Sequence, residues 1–134
     1  MSAVRLVRSD GLAAAPYAYA SRVEAGAELI FLAGACPLAD DGSTVAVGDV
    51  AGQARRCVET MLVALDAAGA ALADVASTRV LVASSDRRDL VAAWDVVQAA
   101  FGDHDVPSTL MGVAALGYPD QLVEIEAVAA TRRG

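Results

Sequence analysis

The stretch LVEIEAVA, residues Leu122 to Ala129, alternates charged and apolar side chains around its two glutamates, which is typical of a β-strand. Because successive side chains of a strand point to opposite faces, Glu124 and Glu126 share one face and Ile125 lies on the other. We predict a strand over Gln121 to Thr131. A turn over residues 117–120, GYPD, joins it to a preceding strand predicted over Ser108 to Leu116.

Two amphipathic helices lie upstream of these strands. Asp49 can cap the first helix, which Gly69 closes, and the second helix starts at Asp86 and ends at Gly102. The β-branched run between the helices predicts a mostly buried strand. That strand is predicted over Thr78 to Ser84. Further strands are predicted over Leu29 to Ala33, Thr44 to Val47, and the short stretches 4–8 and 17–23.

This order of elements predicts an α+β fold with one domain over residues 1–134. We expect one mixed six-stranded sheet with both helices packed on one face. The opposite face of the sheet would remain bare. Hydrophobic residues make up 56% of the chain, more than a monomer of this size can bury, so we expect a homotrimer to cover that face.

Charge and composition exclude several classes of partner. The formal net charge of −7 repels nucleic-acid phosphates and anionic lipid head groups, so we expect neither nucleic acid nor membrane as a partner. The N-terminal residues lack a signal-peptide apolar stretch, which predicts a cytoplasmic protein. Cys36 and Cys57 suggest no disulfide framework, and with one histidine, His104, we expect no metal site and no cofactor.

Five strings along nearly the whole chain resemble the RidA/YjgF family, and their order and spacing together are specific. They are APY (15–17), FLAGACPLA (31–39), GDVAGQARRCVETM (48–61), STLMGVAALG (108–117) and LVEIEAVA (122–129). The resemblance implies a chorismate-mutase-like homotrimer with clefts between subunits. It also implies a relation to deaminases that hydrolyse reactive enamines and imines to ketoacids and ammonia.

The chain departs from this family where its deaminases carry an arginine that holds the substrate carboxylate. Counting from Gly112 puts Ser108 at that position, whereas counting from Glu124 puts Thr109 there. Since no arginine occurs between Arg88 and Arg132, a neighbour is not expected to substitute. Losing one bidentate contact of about 1.5–3 kcal/mol would weaken carboxylate binding roughly ten- to several-hundred-fold. Imines derived from the standard amino acids are therefore not the expected substrates.

The resemblance assigns roles to particular residues. Glu124 matches the carboxylate that positions water and is the predicted catalytic residue; the alternative is a solvated or interface strand face. The predicted substrate-binding residues are Tyr17, Ser108, Thr109, Ala33, Cys36 and Trp94. The alternative for Tyr17 and Trp94 is ordinary packing of aromatic rings, and Ser108 and Thr109 also suit a strand edge. Cys36 lies in the loop that forms the pocket rim, where a thiolate would be a nucleophile, but small cysteines are also common in cores.

These residues favour a trimeric enzyme that acts on a small conjugated imine, enamine or enol-type compound by water- or proton-transfer chemistry. The alternative is a module that binds a small molecule in the same inter-subunit cleft without chemistry, or a scaffold for other proteins. A measurement of turnover distinguishes the enzyme from the binding module and the scaffold. Stabilisation by a ligand without turnover would indicate a binding module.

Overall fold

The computed structural model describes residues 2–132 and contains strands arranged in two sheets, together with two long helices. A single 3₁₀ turn, Leu72–Asp74, leads into the fourth strand. The strands are β1 (Val4–Val7), β2 (Ala20–Val23), β3 (Glu28–Phe31), β4 (Val75–Val82), β5 (Ser108–Gly112) and β6 (Val123–Thr131), and the helices are α1 (Val50–Ala67) and α2 (Arg87–Phe101). The α+β class is confirmed.

The main sheet has the strand order β3-β6-β4-β5. Its β4 and β5 run parallel, while β6 is antiparallel to both β3 and β4, so the sheet is mixed as predicted. Strands β1 and β2 form a separate antiparallel ribbon. The prediction of one six-stranded sheet is therefore wrong in this respect: within residues 2–132 the ribbon is not paired strand to strand with the main sheet, and the Ser21 hydroxyl of β2 donates a hydrogen bond of 2.7 Å to the Ala76 carbonyl of β4.

Both helices pack on one face of the main sheet and form a common core with it. Each begins at the predicted aspartate, since Asp49 accepts a hydrogen bond from the Gly52 amide and Asp86 accepts one from the Arg88 amide. The core comprises the apolar stripes of both helices and the inward residues of β4 and β6; its members include Cys57, Met61, Leu65, Val80, Ala93, Val97, Phe101, Ile125 and Ala127.

Three local predictions need correction. Residues 44–47 form no strand; Thr44 makes only an isolated bridge to Leu38, and Ala46 has a φ of 50°, which ends extended structure. Strand β5 stops at Gly112 instead of Leu116. Residues 117–120 do connect β5 to β6, but β4 lies between the two strands, because β5 pairs with β4 and not with β6.

The other face of the main sheet, which we call the bare face, carries Leu29, Phe31, Arg79, Glu124 and Glu126. Register places these residues together, since each alternates with a residue of the core. Leu29 is 53% exposed and Phe31 is 73% exposed. Among the described residues, neither helix is long and apolar enough to cross a membrane.

Candidate functional site

Glu124 is the second residue of β6 and has two hydrogen-bond donors on the same oxygen. Its Oε1 accepts from the Cys36 thiol, with Sγ 3.2 Å away, and from Gln121 Nε2, 3.3 Å away. Gln121 is itself buried, and its Nε2 also lies 3.0 Å from the Val123 carbonyl oxygen. Among residues 2–132, the structure gives Glu124 Oε2 no donor. One carboxylate oxygen is thus held by two donors, and the other lies against Gly34.

The loop after β3 brings Cys36 to this carboxylate. Ala35 exchanges two backbone hydrogen bonds with Ile125, at 2.7 and 3.1 Å, which lays the loop alongside β6. Gly34 lies directly under the Glu124 side chain, and a Cβ built there would come within 2.5 Å of Oε2. Glycine at position 34 therefore permits the close approach of the carboxylate. Ala33, which precedes it, is exposed.

Cys36 is a hydrogen-bond donor in this arrangement. Burial, together with the hydrogen bond and negative charge of Glu124, raises the pKa of the thiol to about 11. The thiol therefore remains protonated at neutral pH, which disfavours the nucleophilic role considered from the sequence. In the structure the thiol has two acceptors, Glu124 Oε1 at 3.2 Å and the Gly34 carbonyl oxygen at 3.4 Å.

A cavity of about 530 Å³ opens beside Gly34 and Cys36, between this loop and α1. Thr60 and Tyr118 line it, and so does Arg56, which the sequence interpretation did not single out. Arg56 donates from Nε to the Leu38 carbonyl at 2.8 Å and pairs with Glu59 at 3.1 Å. These bonds tie Arg56 to the loop and to its own helix, so its charge is already partly compensated.

The other predicted residues gather near the start of β5. Tyr17 meets Trp94 edge-on, with ring centroids 6.3 Å apart. Ser108 shares a hydrogen bond of 2.7 Å with the buried Thr78, whereas Thr109 is exposed. Tyr17, Ser108 and Thr109 line a cavity of about 300 Å³. We call Tyr17, Trp94, Ser108 and Thr109 the β5 group.

Register decides which hydroxyl of β5 shares a face with Glu124. Thr109 is opposite Arg79 of β4, and Arg79 is opposite Glu126 of β6, so Thr109 lies on the bare face. Ser108 is opposite Thr78 and points toward the helices. Within one chain, Thr109 and Glu124 are separated by two strands and two residues. Typical sheet spacings put this distance at about 12 Å. The structure thus separates the β5 group from Glu124 and Cys36.

Sequence reasoning missed two residues of this region, Gln121 and Arg79. Gln121 follows the predicted turn, and only the folded loop shows that it reaches Glu124. Arg79 occupies a strand predicted to be buried, and the strand pairing places it opposite Thr109 although the two residues are far apart in the sequence. The sequence prediction that no neighbouring arginine substitutes considered only the residues between Arg88 and Arg132. Among residues 2–132, no three His, Cys, Asp or Glu side chains are grouped closely enough to hold a metal ion.

Comparison with known proteins agrees with this architecture. The sequence model of the family described as Endoribonuclease L-PSP matches residues 10–131. A RutC family protein of Pyrococcus abyssi is 32% identical over 114 residues, covering 85% of this chain and 85% of the relative. The 3-aminoacrylate deaminase RutC of Acinetobacter baylyi is 31% identical over 115 residues, covering 86% of each chain.

A solved structure shows the same fold. The Rid protein family member YyfB of Yersinia pestis, whose function is described as unknown, superposes with a TM-score of 0.87 at 25% identity. The match covers 95% of this chain and 98% of that protein. Since both the sequence model and the fold extend over nearly the whole chain, the protein belongs to the Endoribonuclease L-PSP family, also known as the RidA/YjgF family.

Proposed function

We propose that this protein hydrolyses a small conjugated imine or enamine, with Glu124 as the group that holds and deprotonates water. The observation that carries the proposal is the fixed carboxylate: Cys36 and Gln121 donate to Oε1, and neither donates to Oε2. A carboxylate restrained in this way can position one water molecule for attack. The 3-aminoacrylate deaminase among the relatives supports this reaction class, because its named substrate is an enamine.

The chemistry consumes one water and releases one ammonia. An enamine first takes up a proton at carbon and loses one from nitrogen, and so becomes an imine. Glu124 then accepts a proton from water as the oxygen bonds to the imine carbon, and passes this proton to the nitrogen. The resulting carbinolamine breaks its C–N bond when the hydroxyl proton is carried to the leaving nitrogen, which yields a carbonyl compound and ammonia.

The β5 group is proposed to orient the substrate. Tyr17 and Trp94 can stack on a planar conjugated ligand, and Thr109 or Ser108 can donate a hydrogen bond to it. Because this group lies apart from Glu124 within one chain, we propose that a homotrimer brings the two together in clefts between subunits. Ala33, exposed beside Gly34, would then line the same cleft.

The test follows ketoacid and ammonia release from 2-aminoacrylate, generated in place by a serine dehydratase. We expect the wild type to accelerate hydrolysis over buffer and Glu124→Gln to lose about 100-fold or more of that acceleration. Asp66→Asn, at an exposed carboxylate of α1, is the control and should retain full activity. A wild-type rate equal to that of buffer would refute the deaminase proposal. Full turnover by Glu124→Gln would remove Glu124 from its assigned role.

A binding module without chemistry is the second candidate, favoured by the hydroxyl side chains on β5 where the resemblance leads one to expect a cation. It predicts that small planar ligands raise the melting temperature without being converted. Thermal-shift measurements with substrate and product, run beside the turnover assay, distinguish the two candidates.

A further inference from the structure

Arg79 lies at the centre of the bare face, between the two groups of the candidate site. On β4 it is the direct partner of Thr109 on one side and of Glu126 on the other. Its side chain is 60% exposed, with Nε 3.2 Å from Glu126 Oε2. A guanidinium therefore stands one strand away from the position where the resemblance leads one to expect an arginine.

The same register brings Arg79 near Glu124. Glu124 is opposite Leu81, two residues along β4 from Arg79, so the arginine and the carboxylate are diagonal neighbours on one face. Diagonal pairs in antiparallel strands are about 7–8 Å apart, within reach of long side chains. The guanidinium and the carboxylate therefore lie on the same face, the one that the proposed homotrimer would bring against its neighbours.

Arg79 also contributes to the cavity of about 300 Å³ that Tyr17, Tyr19 and Thr109 line. It thus shares a surface with Tyr17, one of the two aromatic rings proposed to stack on the ligand. A guanidinium can bind a carboxylate through two parallel hydrogen bonds, a geometry that neither hydroxyl of β5 provides. The pair with Glu126 is solvent-exposed and so contributes little, which lets a ligand carboxylate compete for the guanidinium.

We propose that Arg79 binds the carboxylate of the substrate, so that the site accepts anionic imines and enamines although β5 carries no arginine. This inference rests on the proposed function and narrows its substrate class. It revises the expectation that imines derived from amino acids are not substrates, because the cation is supplied from the neighbouring strand. Ser108 and Thr109 then serve as hydrogen-bond donors beside the cation.

The first experiment compares Arg79→Ala with wild type on 2-aminoacrylate. We expect kcat/KM to fall roughly 10- to 100-fold, mainly through KM, since the lost contact is a charge-assisted bidentate one. Arg79→Lys should recover only part of this loss, because an ammonium lacks the planar fork. Arg55→Ala, at an exposed arginine of α1, is the matched control and should leave KM unchanged. An unchanged KM in Arg79→Ala would overturn the inference.

The second experiment measures binding without turnover, by calorimetric titration with 2-oxobutanoate. We expect wild type to bind it, Arg79→Ala to bind at least 10-fold more weakly, and Glu126→Gln to bind more tightly because the competing carboxylate is gone. Adding Thr109→Arg to Arg79→Ala should restore binding, since the two positions are direct partners. Circular dichroism checks that each variant is folded.

The two experiments separate the inference from the proposed function. Turnover that depends on Glu124 but not on Arg79 would leave the deaminase proposal standing and overturn the inference. Binding of 2-oxobutanoate that depends on Arg79, without any turnover, would support carboxylate recognition and refute the deaminase. Equal binding by wild type and Arg79→Ala would overturn the inference whatever the turnover.

Discussion

Glu124 and Cys36 illustrate how much of the site depends on the contacts of single residues. The thiol is both partly buried and within 3.2 Å of a carboxylate, and both conditions favour its neutral form. Cysteine at this position thus acts as a weak donor that holds an oxygen in place. Gly34 completes the arrangement by leaving space for the same carboxylate.

The raised pKa of Cys36 predicts slow alkylation. With a pKa of about 11, about one thiol in a thousand is ionised at pH 8, against roughly a quarter for an ordinary cysteine. We expect iodoacetamide to react about 100-fold more slowly with Cys36 than with free cysteine at pH 8, and the rate to keep rising toward pH 11. Mass spectrometry of the labelled protein over a pH series measures the rate at which Cys36 is alkylated.

Two variants check the cause of this slow reaction. Glu124→Gln removes the neighbouring charge, so it should lower the pKa of the thiol and speed labelling at pH 8. Cys36→Ser should abolish the signal, since Cys57 is fully buried in the core. A rate that levels off near pH 8.5 in the wild type would contradict the raised pKa.

At the scale of elements, the buried side-chain amide of Gln53 joins the first turn of α1 to the loop before β6. Gln53 is fully buried, and its Oε1 accepts from the Leu122 amide at 2.7 Å. Its Nε2 donates to the carbonyls of Asp120, at 2.9 Å, and Ala46, at 3.4 Å. Both of those residues have positive φ, so Gln53 bonds to two turns whose backbone is otherwise unfavourable.

Replacing Gln53 tests this connection. Gln53→Leu keeps the volume but removes the side-chain partner of the Leu122 amide and of the Asp120 carbonyl, so we expect a loss of about 3 kcal/mol in the free energy of unfolding. Activity should also fall, because Leu122 lies two residues before Glu124. Urea denaturation followed by circular dichroism measures the loss. Gln98→Leu, exposed on α2, is the control and should change stability by less than about 0.5 kcal/mol. An equally small change in Gln53→Leu would contradict the prediction.

At the scale of the whole molecule, the bare face combines exposed apolar side chains with the charged residues of the candidate site. Leu29 and Phe31 lie on β3 at one edge, and Arg79 and Glu124 lie further across the sheet. Burying the apolar edge against another copy would place a neighbouring chain beside the charged groups. Assembly and formation of the site are thus expected to be coupled.

Substitution of Phe31 tests this coupling. We expect the wild type to sediment as a trimer and Phe31→Asp to sediment as a monomer with little activity, because a carboxylate at a buried interface is unpaired. Val91→Asp, at a residue exposed on α2, provides the control and should remain trimeric. Analytical ultracentrifugation at micromolar concentration gives the result. A monomeric wild type would contradict the predicted homotrimer and require the β5 group to act without Glu124.

Local patterns were sufficient for the elements whose signals are contained in a few neighbouring residues. Both helix starts were predicted because an aspartate cap followed by an apolar stripe is a local feature. The strand around Glu124 was predicted from its alternation. The strand predicted over residues 44–47 is wrong, because composition did not reveal the positive φ of Ala46, which the Gln53 contact accommodates.

By itself the sequence determined the helices, the main strands, the α+β class and the faces of β6, since each follows from periodicity along the chain. Only the tertiary structure decided which strands are neighbours. Pairing β4 with β5 joins Arg79 to Thr109, thirty positions later, and places Thr109 rather than Ser108 on the bare face. No local pattern encodes that contact, because strand order and register depend on how the whole sheet buries its apolar side chains under both helices.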